Sequence, residues 1–576
     1  MIKDLQPNQV EPQAIDSIQP DPRRWIAFAT TLAAGFMDLL DVTIVNVAVP
    51  TIQEDLGAQY AQIEWIIAAY VLAFATILIT GGRLGDLYGR KRIFMVGMVL
   101  FTVASAACGL SFGPTMLIAS RFLQGLAAGL MVPQILAILR ESFPKKERAK
   151  AIAVYSAVCG SATAVGLALG AVLVEWDLFG LSWRPIFLAN IPIGIITLIA
   201  AWRWMNESRS VAPPRLDLVG VVLVTAAILL LTYPLTEGRR LGWPAWTFAM
   251  MGASAVALVA LVSYERRRQR GEGSPLIDLS LFQSRPFTLG LISWLLFWVC
   301  FGGFFLVWTL LMQAGLGWSP LRAGLTSLFF AVATGVGAGT SASVLAPRFG
   351  RRVLIVGGLV TCAGFIGYGA LVQHYGQATT TWQMVIPLVL IGIGFGFVVA
   401  PTIDLVLGQV PTRAAGAASG LLNTGQQLGI ALGVALVGIV FFTQLDNDSS
   451  RGAEEAATRV QSELAAAGVS ESAQIEIVDG FRACVRDRSA QVDPTEEPES
   501  CRGAASDPIV TRMLAEAGEH ATAINFANTF HHTLRYGAGI MLLLSFGFLA
   551  LPRNAKPVHE GTEDAGASTQ LTVGNL

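Results

Sequence analysis

The sequence predicts an all-helical membrane protein with fourteen transmembrane helices. Three observations indicate this fold class: the chain is long and apolar, its apolar residues fall into long runs, and its charges are confined to the stretches between those runs. Of the 576 residues, 53% are hydrophobic and only 14% are charged. A soluble protein of this size could not bury so much apolar surface, so a bilayer must cover it.

The apolar runs are about 18 to 26 residues long, which is the length that a helix needs to cross a hydrocarbon core about 30 Å thick. We expect each run to be helical, because a sheet with open edges would leave backbone groups unpaired in lipid. The predicted spans cover residues 25–49, 63–80, 93–113, 116–139, 151–174, 186–205, 218–235, 246–264, 287–312, 321–345, 353–372, 384–407, 417–442 and 534–551.

The positive charges between the spans predict the orientation of the chain. Arginine and lysine are abundant in every second loop, whereas the other loops carry few, with Arg239, Arg240 and Arg322 as the main exceptions. Loops rich in positive charge stay in the cytoplasm. We therefore expect both termini to be cytoplasmic, with a polar tail at 1–24 and a disordered tail at 553–576.

A distinctive charged stretch, residues 82–92, lies between the second and third spans, where we expect a compact turn. Its glycines let the backbone fold back tightly, its basic residues hold the loop in the cytoplasm, and its acid can pair with an arginine or cap a neighbouring helix. The glycines are Gly82, Gly85 and Gly89, the basic residues include Arg90 and Lys91, and the acid is Asp86.

Residues 345–352 repeat the latter part of this stretch, with Gly350 at the position of Gly89 and Pro347 where Asp86 would be. Transporters use parallel repeats, related by an axis along the membrane normal, to form two halves around a central site. We therefore predict two pseudo-symmetric six-helix bundles and an inserted helix pair. The bundles are 25–205 and 287–443 with 531–552, and the inserted pair is 217–264.

Two acids lie inside the first span. Asp41 falls roughly 24 Å along the helix from its inner end, and Asp38 lies one turn earlier. An acid at the centre of a membrane helix costs about 2.5–3.5 kcal/mol, so such residues normally face a polar cavity. At this spacing the two carboxylates share one helix face, and we expect at least one of them to hold a proton. The alternative is that one or both acids are structural and bonded to neighbouring helices.

Arg121 in the fourth span is the natural partner of these acids. It cannot lose its proton, so it must find an acid, carbonyl groups or water inside the bundle. A static ion pair within the N-terminal half is the alternative interpretation. Secondary candidates for a role in transport are Gln124, Asp404, Asn423 and Gln426. Asp404 could instead reach the cytoplasmic surface. Polar residues such as Asn423 and Gln426 more often hold helices together.

Four stretches resemble the Major Facilitator Superfamily of transporters. Residues 82–92 are similar to the loop G-x-L-x-D-x-x-G-R-K between spans two and three of that family. Residues 38–50 resemble the first-span signature of its fourteen-span drug:proton antiporter branch, with Asp41 at the motif acid. Residues 121–125 resemble the buried-arginine motif, and 183–194 resemble the W-R-W-I-F-x-x-N-x-P-x-G start of span six.

This resemblance implies a secondary active transporter of the plasma membrane that exports lipophilic drugs or metabolites, cations in particular, by proton-coupled alternating access. Asp41, Asp38 and Arg121 would couple protons to substrate, and residues 82–92 would act as a gating loop. The expected partners are a small lipophilic substrate, protons and membrane lipid. We expect a monomer that binds no nucleic acid, nucleotide, cofactor or metal.

The fifth span departs from the antiporter motif of this branch. Gly160, Gly166 and Gly170 recur at helical spacing and allow close packing against a neighbouring span. However, Leu167 occupies the proline position of the motif and Ala171 replaces its last glycine, so a helix kink is not assured. An exporter of lipids or of a lipophilic metabolite without standard proton antiport therefore stays open, as does a sensor that transports nothing.

An enzyme or an ATP-driven pump is not indicated by the sequence. The five histidines are scattered along the chain, and no G-x-x-x-x-G-K-[ST] nucleotide-binding loop occurs.

Residues 444–530 form a polar, acidic and alanine-rich segment that the predicted orientation places outside the cell. Within it, 459–467 and 509–517 look helical. We predict that Cys484 and Cys501 pair there, because the outer compartment permits oxidation, and closing such a loop contributes about 3 kcal/mol. The other four cysteines fall in spans, where we expect them to stay reduced.

Overall fold

The structure, a computed structural model, describes residues 23–58, 60–209, 217–238, 241–270, 279–408, 410, 415–490, 498–501 and 508–551. Every element of regular secondary structure in these ranges is helical. The predicted tails at 1–24 and 553–576 lie outside the described residues, apart from Arg23 and Arg24.

Most of the helices follow the apolar runs of the sequence. In chain order they are α1 (Arg24–Leu56), α2 (Tyr60–Tyr88), α3 (Arg90–Gly109), α4 (Pro114–Ser142), α5 (Lys145–Glu175), α6 (Pro185–Leu188), α7 (Asn190–Trp204), α8 (Leu218–Glu237), α9 (Ala245–Arg270), α10 (Arg285–Leu310), α11 (Pro320–Thr340), α12 (Ala346–Phe349), α13 (Arg352–Tyr375), α14 (Thr381–Gly408), α15 (Ala415–Ala466), α16 (Glu471–Ala490) and α17 (Pro508–Gly547).

Local signals in the sequence set several helix ends. The Asp217 carboxylate accepts the backbone N–H of Gly220 at the start of α8, at 3.0 Å. Proline occupies the first turn of α4 and of α11, where its missing N–H costs no helical hydrogen bond. α1 ends at Gly57, whose positive φ of 57° suits glycine.

Thirteen helices in the described ranges are long and apolar enough to cross a bilayer. The predicted fifth span falls in α5, a helix of 31 residues whose described apolar stretch, Lys150–Cys159, is shorter. Thirteen of the fourteen predicted spans therefore have a matching helix, the fifth span stays a prediction, and the all-helical membrane fold is confirmed.

The helices pack as two bundles with an inserted pair. α1 to α7 contact one another in the N-terminal half, and α10 to α17 do so in the C-terminal half. The halves meet where α5 lies against α11 and α2 lies against α15. α8 packs on α9 and on α2, where Thr225 Oγ1 donates to the carbonyl of Thr76 at 3.4 Å.

The predicted sixth span, 186–205, is divided into α6 and α7. The division falls at Ala189, just before Asn190 begins α7. Pro192 has no N–H to donate to the carbonyl of Leu188, so the helical hydrogen-bond pattern is interrupted here.

The prediction of a compact turn over 82–92 was wrong. Residues 82–88 continue α2, α3 begins at Arg90, and the chain reverses at Gly89 alone, with φ of 107°. Its predicted counterpart Gly350 also has a positive φ, 57°, between α12 and α13. Side chains are strained at such φ values, so the repeat preserves the one residue that the reversal requires.

The described residues of 444–530 form a helical head. α15 continues beyond the span to Ala466, and α17 returns from the head to the membrane, so both predicted helical stretches lie in longer helices. α16 packs between them around a small core that includes Val460, Leu464 and Phe481. The structure joins Cys484 to Cys501 as a disulfide, and its oxidation in the cell stays a prediction.

Candidate functional site

The main polar site lies at the centre of the N-terminal half. Asp41 on α1 points into the bundle, where Arg121 on α4 donates to its Oδ2. Both side chains are buried, with exposures of 1% for the arginine and 0% for the acid. The other carboxylate oxygen, Oδ1, accepts Gln124 Nε2 at 2.8 Å and Asn190 Nδ2 at 2.9 Å. One carboxylate therefore joins α1, α4 and α7.

Arg121 has several other partners besides this acid. Its Nε donates to the carbonyl of Ile66 at 3.2 Å, and its Nη1 donates to Gln124 Oε1 at 2.7 Å. The guanidinium also lies over the ring of Tyr70, 4.3 Å from Cζ to the ring centroid. These contacts explain how a permanently charged group is accommodated at membrane depth.

Ser105 on α3 completes this hydrogen-bond network. Its hydroxyl accepts from Asn190 Nδ2 at 2.9 Å and from Gln124 Nε2 at 3.2 Å. It donates in turn to the carbonyl of Phe187 at 3.0 Å. A buried network in which members hold one another fixes the position of the Asp41 carboxylate.

Asp38 occupies a separate buried site one turn from Asp41. Tyr70 on α2 donates its hydroxyl to Asp38 Oδ1 at 2.5 Å. Tyr155 and Cys159 on α5 lie close enough to interact electrostatically with this acid. The two acids share a helix face, as the spacing predicts, and each has its own set of partners.

The glycines of the fifth span bring α5 against the part of α1 that carries Asp41. A methyl group added at Gly166 would collide with the side chain of Thr43, and one at Gly170 would come within 2.7 Å of Ile44 Cγ1. Gly160 lies on the same helix, which runs unbroken from Lys145 to Glu175.

A second polar cluster lies beside the Gly89 turn. Asp86 forms an ion pair with Arg90 at 2.9 Å, and Arg90 also pairs with Glu141 of α4. The Asp86 carboxylate also interacts with the backbone N–H of Ala417 at the start of α15. The predicted pairing of this acid with an arginine is therefore present, and its role as a helix cap stays a prediction.

The other motif residues at this end tie α2 and α3 to α4 and α7. A methyl group at Gly85 would overlap Gln134, whose Nε2 donates to the carbonyl of Gly81 at 2.7 Å. Lys91 Nζ donates to the carbonyls of Trp202 and Met205, at 2.9 and 2.6 Å, at the end of α7. Gly82 lies buried within α2.

The two halves also touch at the end that carries Gly89. Asp404 on α14 interacts electrostatically with Arg148 and Arg140 of the N-terminal half. Ser419 Oγ on α15 donates to the carbonyl of Pro133 on α4 at 2.9 Å. Asp404 therefore lies between the halves, away from the Asp41 site.

The remaining candidates lie on α15. Asn423 is buried and donates to the carbonyl of Ser419 within its own helix at 2.9 Å, and Gln426 is half-buried. In the described ranges, no group of three or more His, Cys, Asp or Glu side chains could hold a metal ion.

Sequence reasoning missed three members of the central network: Asn190, Ser105 and Tyr70. Asn190 lay within the stretch that resembles a family motif, so its position was visible although its role was not. Ser105 and Tyr70 lie in apolar spans without a motif, and only the packing of α2 and α3 on α4 brings them to the acids.

Comparison with known proteins identifies a transporter family. The model of the Major Facilitator Superfamily matches residues 31–434. The probable actinorhodin transporter of Streptomyces coelicolor is 39% identical over 543 residues, covering 94% of this chain and 93% of that protein.

Two further relatives match about three quarters of the chain. The tetracenomycin C resistance and export protein of Streptomyces glaucescens is 35% identical, covering 73% of this chain and 77% of that protein. The puromycin resistance protein of Streptomyces alboniger is 34% identical, covering 73% of this chain and 82% of that protein.

Two solved structures share the fold. The human organic anion transporter TETRAN aligns with a TM-score of 0.55 and 15% identity, covering 92% of this chain and 100% of that one. The proton:xylose symporter XylE aligns with a TM-score of 0.52 and 14% identity, covering 72% of this chain and 88% of that one.

Proposed function

The chain belongs to the Major Facilitator Superfamily, and on this premise we propose that it exports lipophilic antibiotics or related metabolites from the cell in exchange for protons. It is a membrane transporter and not an enzyme. The names of its relatives, which refer to actinorhodin, tetracenomycin C and puromycin, support antibiotics as the substrate class.

The observation that carries the proposal is the buried Asp41 site. A carboxylate that is held by Arg121, Gln124 and Asn190 from two other helices changes its contacts when it takes a proton. The protonated acid loses its charge, and the ion pair with Arg121 loses its electrostatic attraction. Proton binding at Asp41 therefore alters the packing of α1 against α4 and α7, as coupling requires.

Alternating access requires the two halves to separate first at one end and then at the other, and the contacts between the halves determine which end is closed. Asp404 with Arg140 and Arg148, and Ser419 with Pro133, hold the halves together at the Gly89 end. We assign this end to the cytoplasm, because Arg90, Lys91 and Arg92 lie there. Opening to the cytoplasm then requires these contacts to separate.

The proposal includes several finer points. The carboxylate of Asp38 favours cationic substrates, because it is an acid at membrane depth, whereas Arg121 already balances the charge of Asp41. We place the protein in the plasma membrane as a monomer in contact with lipid, with both termini in the cytoplasm.

A second candidate is export of lipids or of a lipophilic metabolite without proton antiport. The observation that favours it is α5, which runs unbroken from Lys145 to Glu175 with Leu167 where the antiporter motif has proline.

Transport by the purified protein in lipid vesicles, with ethidium and puromycin as probes and an imposed pH gradient, separates the two candidates. Proton antiport predicts that the gradient drives both probes and that Asp41→Asn lowers this driven transport about tenfold or more. The matched control is Asp55→Asn, which makes the same change on the same helix in an acid that is 36% exposed.

Two outcomes would count against proton antiport. Absence of any response to the gradient in the unmodified protein would favour the second candidate. Full driven transport in Asp41→Asn, at equal protein abundance, would remove Asp41 from the mechanism.

A further inference from the structure

We propose that Tyr70 is a positioning residue that links the protonation of Asp38 to the ion pair between Arg121 and Asp41. The inference rests on the proton antiport proposed above. It concerns a residue that no sequence motif of the chain singles out.

Tyr70 contacts both acid sites with different parts of one side chain. Its hydroxyl donates to Asp38 Oδ1 at 2.5 Å, and its ring face lies 4.3 Å from the Cζ atom of Arg121. The side chain is fully buried, with an exposure of 0%. The ring therefore lies between the acid that it hydrogen-bonds and the cation that Asp41 holds.

The backbone fixes this arrangement. Gly125, one helical turn beyond Arg121 on α4, lies directly against Tyr70 on α2. A side chain at Gly125 would overlap the backbone of Tyr70, whose Cα is only 3.0 Å from the position of an added Cβ atom. Because α2 and α4 touch at this level, the backbone of Tyr70 is held next to the helix that carries Arg121.

The groups that face Asp38 come from four helices. Asp41 lies on the same helix, Tyr70 on α2, Arg121 on α4, and Tyr155 and Cys159 on α5. Among these, Tyr70 alone contacts both groups, because its hydroxyl hydrogen-bonds Asp38 and its ring lies against the guanidinium of Arg121.

The physical link is the polarisation of the phenol. A hydroxyl that donates to a carboxylate shifts electron density toward its ring, and an electron-rich ring attracts a cation more strongly. When Asp38 takes a proton, its charge is lost and this polarisation weakens. The hold of Tyr70 on Arg121 then weakens as well, and the guanidinium is freer to leave its position beside Asp41.

The test measures puromycin counterflow, the exchange of labelled for unlabelled probe without a gradient, from roughly pH 5 to pH 9. Tyr70→Phe keeps the ring over Arg121 and removes the hydroxyl. We expect it to move the midpoint of the pH profile by about half a pH unit or more and to lower gradient-driven transport about tenfold. Maximal counterflow should stay within about twofold of the unmodified protein.

A double variant tests whether Tyr70 acts through Asp38. We expect Asp38→Asn alone to remove the part of the pH profile that depends on Asp38 and to leave the part that depends on Asp41. Adding Tyr70→Phe to Asp38→Asn should then change the profile and the driven transport by less than about twofold, because the hydroxyl has no carboxylate to act on.

The matched control is Tyr368→Phe in the C-terminal half. Tyr368 is equally buried, and its hydroxyl accepts from Trp308 Nε1 at 2.9 Å and donates to Met384 Sδ at 3.1 Å. Removing this hydroxyl should leave the pH profile in place, since no acid is involved.

The outcomes separate this inference from the proposed function. If the unmodified protein responds to pH and Tyr70→Phe matches it, the role of Tyr70 is refuted while proton antiport stands. Equal losses in driven transport and counterflow, or additive effects with Asp38→Asn, would show a purely structural tyrosine. If the unmodified protein shows no pH response, proton antiport fails and the inference fails with it.

Discussion

The two halves of the molecule share a helical plan, but different chemistry fills their centres. In the N-terminal half, Asp38, Asp41 and Arg121 are all buried within the bundle. In the C-terminal half the described buried polar side chains are hydroxyls and amides, and none is charged.

Aromatic rings fill the centre of the C-terminal half instead. α10, α11, α13 and α14 contribute a continuous cluster in which, for example, the centroids of Phe301 and Phe395 are 4.7 Å apart. Its members include Phe297, Phe301, Phe304, Trp308, Phe330, Phe365 and Phe395.

Two buried tyrosines illustrate the contrast. The hydroxyl of Tyr70 donates to a carboxylate, whereas that of Tyr368 donates to the thioether of Met384. A proton can change the first environment, and it leaves the second unaltered. If the proposed proton antiport is correct, this comparison predicts that protons act on the N-terminal half and that the C-terminal half supplies a stable apolar body.

Among the variants that test this comparison, we expect Arg121→Met to have the largest effect on stability and transport. The variant leaves Asp41 buried without its cation, and removing one partner of a buried ion pair typically costs about 3–5 kcal/mol. We expect a lower free energy of unfolding by that amount and loss of gradient-driven puromycin transport. Thermal unfolding in detergent and vesicle transport measure the two effects.

Arg184→Met is the control for this change. Arg184 pairs with Asp55 at 2.8 Å, and both side chains are partly exposed, so its loss should cost less than about 1 kcal/mol. Unaltered stability and transport in Arg121→Met would mean that the N-terminal half does not depend on its central charge.

A smaller effect on transport is expected for Phe301→Ala in the C-terminal half. Phe301 is fully buried, and its truncation should cost about 3–5 kcal/mol of stability through the cavity that it leaves. The protein that remains folded should keep its pH response, because no charged group is touched. Comparison of the counterflow pH profiles of the variant and the unmodified protein checks this expectation.

Phe301→Leu is a more conservative substitution that keeps part of the buried volume, so it should lower the free energy of unfolding by less than Phe301→Ala does. A shifted pH profile in either variant, at equal abundance, would place proton coupling in the aromatic half as well and would break the comparison.

The smallest effect on stability is expected for a change at Asp55, a partly exposed acid of the N-terminal half. Asp55 lies beyond the described membrane span of α1, where Trp183 Nε1 donates to it at 3.0 Å and Arg184 at 2.8 Å. These donors lower the pKa of the Asp55 carboxyl below its usual value. A depressed pKa stabilises the folded state above the unfolded pKa, and this contribution is lost as the pH falls through the folded pKa.

We therefore expect Asp55→Asn to be less stable than the unmodified protein at neutral pH by less than about 1 kcal/mol. The difference should shrink below about pH 4, as the carboxyl of the unmodified protein takes up its proton. Unfolding curves at several pH values measure it. A difference that grew on acidification would contradict the assigned ion pair.

Much of the fold could be predicted from the sequence, because long apolar runs and alternating loop charge follow directly from the cost of placing polar groups in lipid. The pairing of Asp41 with Arg121 was predictable for the same reason, since a buried arginine must find an acid or other acceptors.

The motif between α2 and α3 was harder to interpret. Its three glycines suggested a turn, yet Gly85 lies within α2 and serves close contact with Gln134 of α4. Glycine permits both a reversal and a close helix contact, so its presence alone does not distinguish them. Only Gly89, with its positive φ, performs the reversal.

The sequence by itself determined the helices, their order and the existence of charges that had to be buried, since each of these follows from local composition. The tertiary structure decided which groups meet those charges. Tyr70 on α2 reaches Asp38, and Asn190 on α7 reaches Asp41, while Ser105 on α3 holds Asn190 in place. Their meeting depends on the relative rotation and depth of packed helices, which many distant contacts set together and which no single stretch of sequence encodes.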